Sequence, residues 1–451
     1  MMLLTGMRSI AAWIFFSISL KTSVRALSHS TSSTPTTTAS FSSTSGTHTA
    51  LTSAVLKVTY DGSLFNGWTA SNEGVPTTNE RIYQPRRYGK ARRNKHRPSM
   101  RKGEVRSVEG ALKGALSKIY GNVPLDRIVI EGCSRTDKGV HSKGSPALIY
   151  CLLKKEEGED SADQSEDDSN STSDGGTVTS SHAGSFSIAG KNLPHPTSPT
   201  DKDFKELPFK SDVRKMLFTL NKMLPPDVRV LDASPFPTKE VLDDGGSGDG
   251  QLLQRPFHPS LDSVAKTYRY TFSLGEIHDP IRCRDVWNIP YCTKFDLDRA
   301  KECAQLFVGE QDFIAFRGAF RGNERGKVQN TICCISDLII CDEGTEVVPF
   351  PLCKTYYIEI SGDRFLYKMV RFLVGTIVQY ATTERISLED VKNALATGRW
   401  NMNHDEHELP RFCAPPNGLS LKCVHYDMEW MFDWMFEQKV SQLEAKEVTK
   451  S

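Results

Sequence analysis

A chain of 451 residues has room for two compact domains plus appended segments, and an apolar content of 38% leaves part of that length outside any core. Lys and Arg total 56 against 55 Asp and Glu, so the net charge of +1 does not by itself announce a nucleic-acid partner. Eleven cysteines without a C-x-x-C spacing exclude a zinc ribbon and a thioredoxin-like redox motif.

The chain opens with a targeting pattern. Arg8 precedes an apolar stretch from Ile10 to Leu20, too short to span a bilayer comfortably, and Ala26 stands at a cleavage-like point. A run rich in hydroxyls and free of acid follows. Together they predict a bipartite plastid address over residues 1–53, with a mitochondrial or secretory signal as the competing reading and no membrane segment in the mature chain. Folded sequence begins near "AVLKVTYDGSLFNGW", where Val58 and Tyr60 alternate with Lys57 and Thr59 as in a half-buried strand. Between Gln84 and Arg106 stand ten Lys or Arg and one Glu, without apolar periodicity, which predicts an exposed basic loop. Val108, Leu112, Leu116 and Ile119 then mark a helix with Ser107 as its cap.

A strand, "DRIVIEG", leads into "GCSRTDKGVHSKG", and "SPALIYCLL" reads as the returning strand. An acidic, Ser-rich insert without a folding pattern is expected over 154–205. "DVRKMLFTLNKMLPPDVRVLDASPFP" gives a helix, a Pro-Pro stop and a strand, closing a first half at 54–240. After a Gly-rich break, a second half at 255–430 repeats the pattern. Strands are read in "AKTYRYTFSL", "TICCISDLII" and "TYYIEIS"; helices are read in "DLDRAKECAQLFVG", "FLYKMVRFLVGTIVQYAT" and, capped by Ser387, "SLEDVKNAL". Residues 431–451 read as a polar tail. The fold class is α+β.

Several motifs carry no chemistry. "GVHSKGS" lacks the lysine of a phosphate-binding loop, and no G-x-S-x-G supports a hydrolase serine. His404 and His407 lack a third ligand nearby, so a polar loop outweighs a metal site. Asp137, close to Arg135 and flanked by glycines after a strand, is different. A carboxylate in such a place serves as a nucleophile if a cation keeps it ionised in a partly dry pocket. A solvated turn is the competing reading. Arg371 lies within an apolar helix, where a guanidinium is costly unless paired; a surface position on an amphipathic helix is its alternative.

The stretches "YDGSLFNGW", "GCSRTDKGVHSKG", "LNKMLPPDVRV", "FHPSLDSVAKTYRY", "VGEQDFIAFR", "FLYKMVRFLVG" and "APPNGLSL" occur in this order. From about Val55 to Tyr426 the chain therefore resembles the TruA family of tRNA pseudouridine synthases. The resemblance implies a two-lobed pseudouridine synthase fold, mainly antiparallel sheets flanked by helices around a central basic cleft that receives tRNA. It implies isomerisation of uridine to pseudouridine without metal or organic cofactor, at anticodon-arm positions by analogy with the bacterial form. It also allows a homodimer. By motif position, Asp137 is the nucleophile, Tyr268 packs against the target uracil and Arg371 pairs with the aspartate. Arg135, which helps displace the base, is assigned with Lys138 and His141 to substrate binding. Either attack at C1′ or a glycal-like route fits the chemistry.

Three positions depart from the family pattern: Ser134 stands for glycine, Ser260 for arginine and Thr69 for glutamine. Two other functions compete with a synthase. A tRNA-binding protein without catalysis has no need of a buried carboxylate and guanidinium, and a metal-dependent RNA hydrolase would have to rely on His404 and His407.

Overall fold

The computed structural model describes residues 49–70, 105–153, 185–188, 191–239, 256–276, 279–290, 292, 294–319, 330–343, 354–400, 413–427 and 430–435. Residues 1–48 of the targeting segment, the basic loop up to residue 104, most of the acidic insert and the His404–His407 stretch lie outside these residues. The segment expected to run to residue 53 ends earlier, because Ser53 opens the first strand and Thr52 and Ser53 are buried.

The first half contributes β1 (Ser53–Tyr60), α1 (Val108–Ile119), β2 (Ile128–Gly132), β3 (His141–Cys151), the hairpin β4 (Ser185–Ile188) and β5 (Lys191–Pro194), α2 (Val213–Met223), β6 (Val228–Pro235) and β7 (Thr238–Lys239). The second contributes β8 (Ser263–Leu274), β9 (Trp287–Ile289), α3 (Leu297–Gln305), β10 (Gly309–Asp312), β11 (Ile332–Asp342), β12 (Lys354–Gly362), α4 (Met369–Thr382), α5 (Leu388–Thr397), β13 (Leu419–Tyr426) and β14 (Trp430–Met431). The caps read from sequence are present. Ser107 accepts from the Gly110 N–H, and Ser387 forms a full capping box with Asp390.

Where a sheet for each half was expected, the strands form one ten-stranded mixed sheet. Its order is β10-β11-β12-β8-β13-β3-β1-β6, with β2 on β3 and β9 on β8. The join between the halves is a short parallel pair, Ser420 opposite His141 and Leu421 opposite Ser142. Each half keeps its own core. Ala54, Leu56 and Val58 of β1 pack under α1 and α2, while Tyr268, Tyr270 and Phe272 of β8 pack with α3, α4 and α5. Alternation along β1 and β3 sends Val55, Leu148 and Tyr150 to the opposite face, into a third cluster rich in aromatics.

That cluster changes two expected boundaries. The insert was expected to run to residue 205, but the stretch from His195 to Lys205 is packed. His195 is buried 2.9 Å from the Glu131 carboxylate, and the Phe204 ring meets Tyr150 edge-on at 5.1 Å. Averaging over a Ser- and Thr-rich run hides two side chains that β2 and β3 recruit. Likewise the polar tail begins later than residue 431. Trp430 packs on Phe257, Phe432 stacks on Trp434, and β14 pairs with β7. Arg106, counted with the basic loop, is held by Asp227 at 3.2 Å and lies over the Phe65 ring.

One glycine fixes how the first strand meets the site. A methyl on Gly62 would overlap the Val140 carbonyl, which is backbone and cannot swing away. Gly62→Ala is expected to destabilise the fold by about 3 kcal/mol, the upper end of an overpacking penalty. The change should appear in urea unfolding as a lower midpoint with an unchanged slope.

Candidate active site

The Arg-Thr-Asp segment leaves β2 and returns as β3, and both its ends, Cys133 and Val140, are buried in the core of the second half. The loop therefore belongs by sequence to one half and packs on the other. Its conformation is held by the "YDGSLFNGW" stretch, which wraps around it. The Trp68 N–H donates to the Thr136 carbonyl at 3.1 Å, and the Gly139 N–H donates to the Phe65 carbonyl at 3.3 Å. Gly67, at φ +110°, lies so close to the Thr136 carbonyl that a Cβ would sit 2.6 Å away. Gly139, at φ +81°, makes the turn after Asp137. Gly132, two residues before Ser134, instead leaves space for the Trp68 indole, whose nearest ring atoms would be 2.6 Å from an added Cβ.

Within the loop, Arg135 and Lys138 are exposed, Thr136 is buried and Asp137 is half-buried. Tyr268 comes up from β8 with 8% of its surface exposed, and its hydroxyl lies 3.0 Å from Ser134 Oγ. Burial pushes its phenol up to about 12, the Ser134 hydrogen bond works against that shift, and the charge of Asp137 adds to it. The phenol is thus protonated at neutral pH, and the Asp137 carboxylate lies within electrostatic reach of it.

Arg371 is in the first turn of α4, half-buried, with its Nε donating to the Ala414 carbonyl at 2.6 Å. Lys368, the N-cap of α4 three residues before Arg371, is in the left-handed region at φ 61°, a strained conformation for lysine. Beside Ala414, the Cys413 thiol is pushed up by burial. Arg371 and Lys368 pull it down and Asp137 pushes it further up. One thiol therefore feels both Asp137 and Arg371, residues 234 positions apart in the chain.

The "APPNG" loop that carries Cys413 and Ala414 joins all the parts. Pro415 accepts from the Tyr270 hydroxyl at 2.8 Å, and Pro416 faces Gly139 across the turn. The Asn417 carbonyl lies 3.1 Å from Nε2 of His141. His141 was assigned to substrate binding, yet it is 8% exposed and both ring nitrogens face protein groups. Nε2 also meets the Arg284 carbonyl at 2.9 Å, and Nδ1 lies 3.1 Å from the Gly62 N–H and 3.3 Å from Asp61. This is the geometry of a scaffold histidine, tying β1, β3 and the "APPNG" loop. Burial pushes the Asp61 carboxyl up, but its contacts with His141 and Ser63 outweigh this and hold it well below the usual carboxylate range. Sequence reasoning missed Asp61 and the "APPNG" loop as parts of the site; the signal available was the proline pair followed by Asn-Gly, a turn with little freedom.

Among the described residues no cluster of three or more His, Cys, Asp or Glu is placed to hold a metal ion, and no helix is long and apolar enough to cross a membrane.

A profile of a family described as tRNA pseudouridine synthase matches residues 303–427, which hold Arg371 and the "APPNG" loop. Tyr268 and Asp137 lie upstream of that match, within alignments to whole proteins. The tRNA pseudouridine synthase A of Geobacter sp. (strain M21) is 25% identical over 321 residues, covering 71% of this chain and 90% of that protein. Over most of its length the chain is therefore similar to the TruA family of tRNA pseudouridine synthases. A second relative, tRNA pseudouridine synthase A 2 of Protochlamydia amoebophila, is 23% identical over 371 residues, or 82% of this chain and 93% of its own length. Over a shorter stretch of 171 residues, the tRNA pseudouridine synthase A of Listeria innocua reaches 33% identity, covering 38% of this chain and 60% of the relative. Three of the seven stretches meet the Arg-Thr-Asp loop directly: "YDGSLFNGW" through Phe65 and Trp68, "FHPSLDSVAKTYRY" through Tyr268, and "APPNGLSL" through Pro416.

Proposed function

We propose that this chain isomerises uridine to pseudouridine in tRNA, with Asp137 as the nucleophile. The observation that carries the reading is electrostatic convergence: Asp137 acts on both Tyr268 and Cys413, and Arg371 acts on the same Cys413 thiol. Contacts support it: Arg371 Nε donates to the Ala414 carbonyl at 2.6 Å, Pro416 packs on Gly139, and the Tyr268 hydroxyl lies 3.0 Å from Ser134 Oγ, so Arg371 and Tyr268 both border the loop that carries Asp137.

The chemistry requires each of these groups. A uridine in a stem is first flipped out of its stack, at an energetic cost that an inserted side chain offsets. Arg135, exposed at the tip of the loop, is the side chain proposed to take the vacated place. With the base flipped, the Asp137 carboxylate attacks C1′ and forms a C1′–O bond as uracil departs with the electron pair of the C1′–N1 bond. The freed uracil stays against the Tyr268 ring and turns until C5 faces C1′. C5 then attacks C1′, the C1′–O bond breaks to release the Asp137 carboxylate, and a base removes the C5 proton while N1 takes one up. Arg371 keeps Asp137 ionised between steps, because burial without a nearby cation would neutralise the carboxylate. Tyr268 enters as a protonated phenol and an apolar face.

We also propose that tRNA crosses the junction between the halves, that the target lies in the anticodon arm, and that the chain assembles as a homodimer. The leader ahead of the first strand is proposed to address the chain to a plastid. The basic stretch at 84–103 is proposed to contact phosphates in place of the arginine missing at Ser260. Deleting 84–103 should then weaken tRNA binding and reduce the slope of log K against log salt by about 0.7–0.9 per lost contact. Equal affinity and slope would make the stretch passive. The proposal as a whole is tested by incubating the full chain with unmodified tRNA transcripts and mapping pseudouridine. New pseudouridine confined to a few anticodon-arm positions is expected, and none at any position would refute it.

A further inference from the structure

We propose that Ser134 is a positioning residue that sets the Tyr268 ring relative to the Asp137 loop through a hydroxyl-to-hydroxyl bond across the two halves. The inference rests on the synthase reading above and adds a residue to it. Ser134 Oγ lies 3.0 Å from the Tyr268 hydroxyl, and the two residues come from the exit of β2 and the middle of β8. Two positions further on, Thr136 Oγ1 lies 2.7 Å from the hydroxyl of Tyr60 in β1. The side chains on either side of exposed Arg135 are therefore each tied to a buried tyrosine, one in each half.

The arrangement has a physical consequence. A buried phenol needs a partner for its hydroxyl, and where that partner sits decides how the ring stands. Tyr60 and Thr136 lie within one half and brace the loop against its own sheet. Ser134 and Tyr268 lie across the junction and fix the distance between the carboxylate loop and the aromatic face. If that face holds the uracil during its turn, loss of the tie loosens the reacting geometry while leaving most contacts to tRNA intact. Small misplacements of this kind reduce the chemical step more than binding.

The test uses the full chain, unmodified tRNA transcripts and single-turnover rates beside tRNA affinity. Ser134→Ala should slow pseudouridine formation about three- to tenfold, the range of one neutral hydrogen bond, with affinity within about twofold. Tyr268→Phe removes the other half of the same bond. The double variant should therefore be no slower than Tyr268→Phe alone, since two changes to one contact do not add. A merely structural serine would lower the melting temperature without this coupling. A wild-type rate in Ser134→Ala, or losses that multiply in the double variant, would overturn the proposal alone. A wild-type chain that forms no pseudouridine would overturn the synthase reading, and the proposal with it.

Discussion

Asp137→Ala is expected to abolish pseudouridine formation, with the rate falling about 10⁴-fold or more, while tRNA binding stays within about threefold of wild type. A nucleophile and the groups that serve it act as a unit, so losing the nucleophile alone removes nearly all the catalysis the unit provides. Asp137→Asn should be equally inactive. The amide keeps the size and shape of the carboxylate in a half-buried loop, so a folding defect cannot account for that loss. Single-turnover pseudouridine formation and filter binding on the same preparations check both halves of the expectation. Residual activity within tenfold of wild type would assign the chemistry to another group. Binding lost together with activity would make Asp137 a recognition residue.

Arg371→Ala should cost less, about 10²- to 10³-fold in the chemical step, again with affinity largely retained. The guanidinium has two duties. Its Nε holds the Ala414 carbonyl at 2.6 Å, and its charge acts on the thiol that Asp137 also reaches. Arg371→Lys separates them, because lysine keeps the charge and loses the fixed fork of donors. A loss of about tenfold in Arg371→Lys would assign most of the effect to charge. A loss equal to that of alanine would assign it to the hold on the "APPNG" loop. If Arg371→Ala retained the wild-type rate, the convergence of α4 on the Asp137 loop would have no chemical meaning.

Local structure was largely legible from sequence, because its causes are local. Ser107 and Ser387 announce their helices by capping chemistry, and the apolar periodicity of 108–119 and 369–382 reappears as buried faces. Asp137, Tyr268 and Arg371 were singled out through motifs whose order is specific, and their roles are what the substitutions above test. What sequence did not give is what those residues lean on. His141 follows the Arg-Thr-Asp motif closely enough to look like a substrate contact, yet residues from β1 and from two distant loops close over its ring. The extent of the packed chain was hidden for a different reason. His195 and Phe204 sit in a polar run whose average suppresses them. Phe432 and Trp434 follow the last strand but share a cluster with Val55 and Tyr150. Aromatic density in "WMFDWMF" was the available signal. The single sheet in place of two depends on two residue pairs between β3 and β13, a register that no local pattern encodes.

The central claim is that this chain breaks a C–N bond in tRNA uridine and makes a C–C bond at C5, which must shed the C5 hydrogen. The most direct measurement is therefore release of tritium to water from tRNA carrying 5-tritiated uridine, incubated with the full chain in the presence of a chelator. The account predicts tritium release equal to the pseudouridine formed, in intact tRNA, and none with Asp137→Ala. Strand scission, free uracil, or binding without tritium release would refute it.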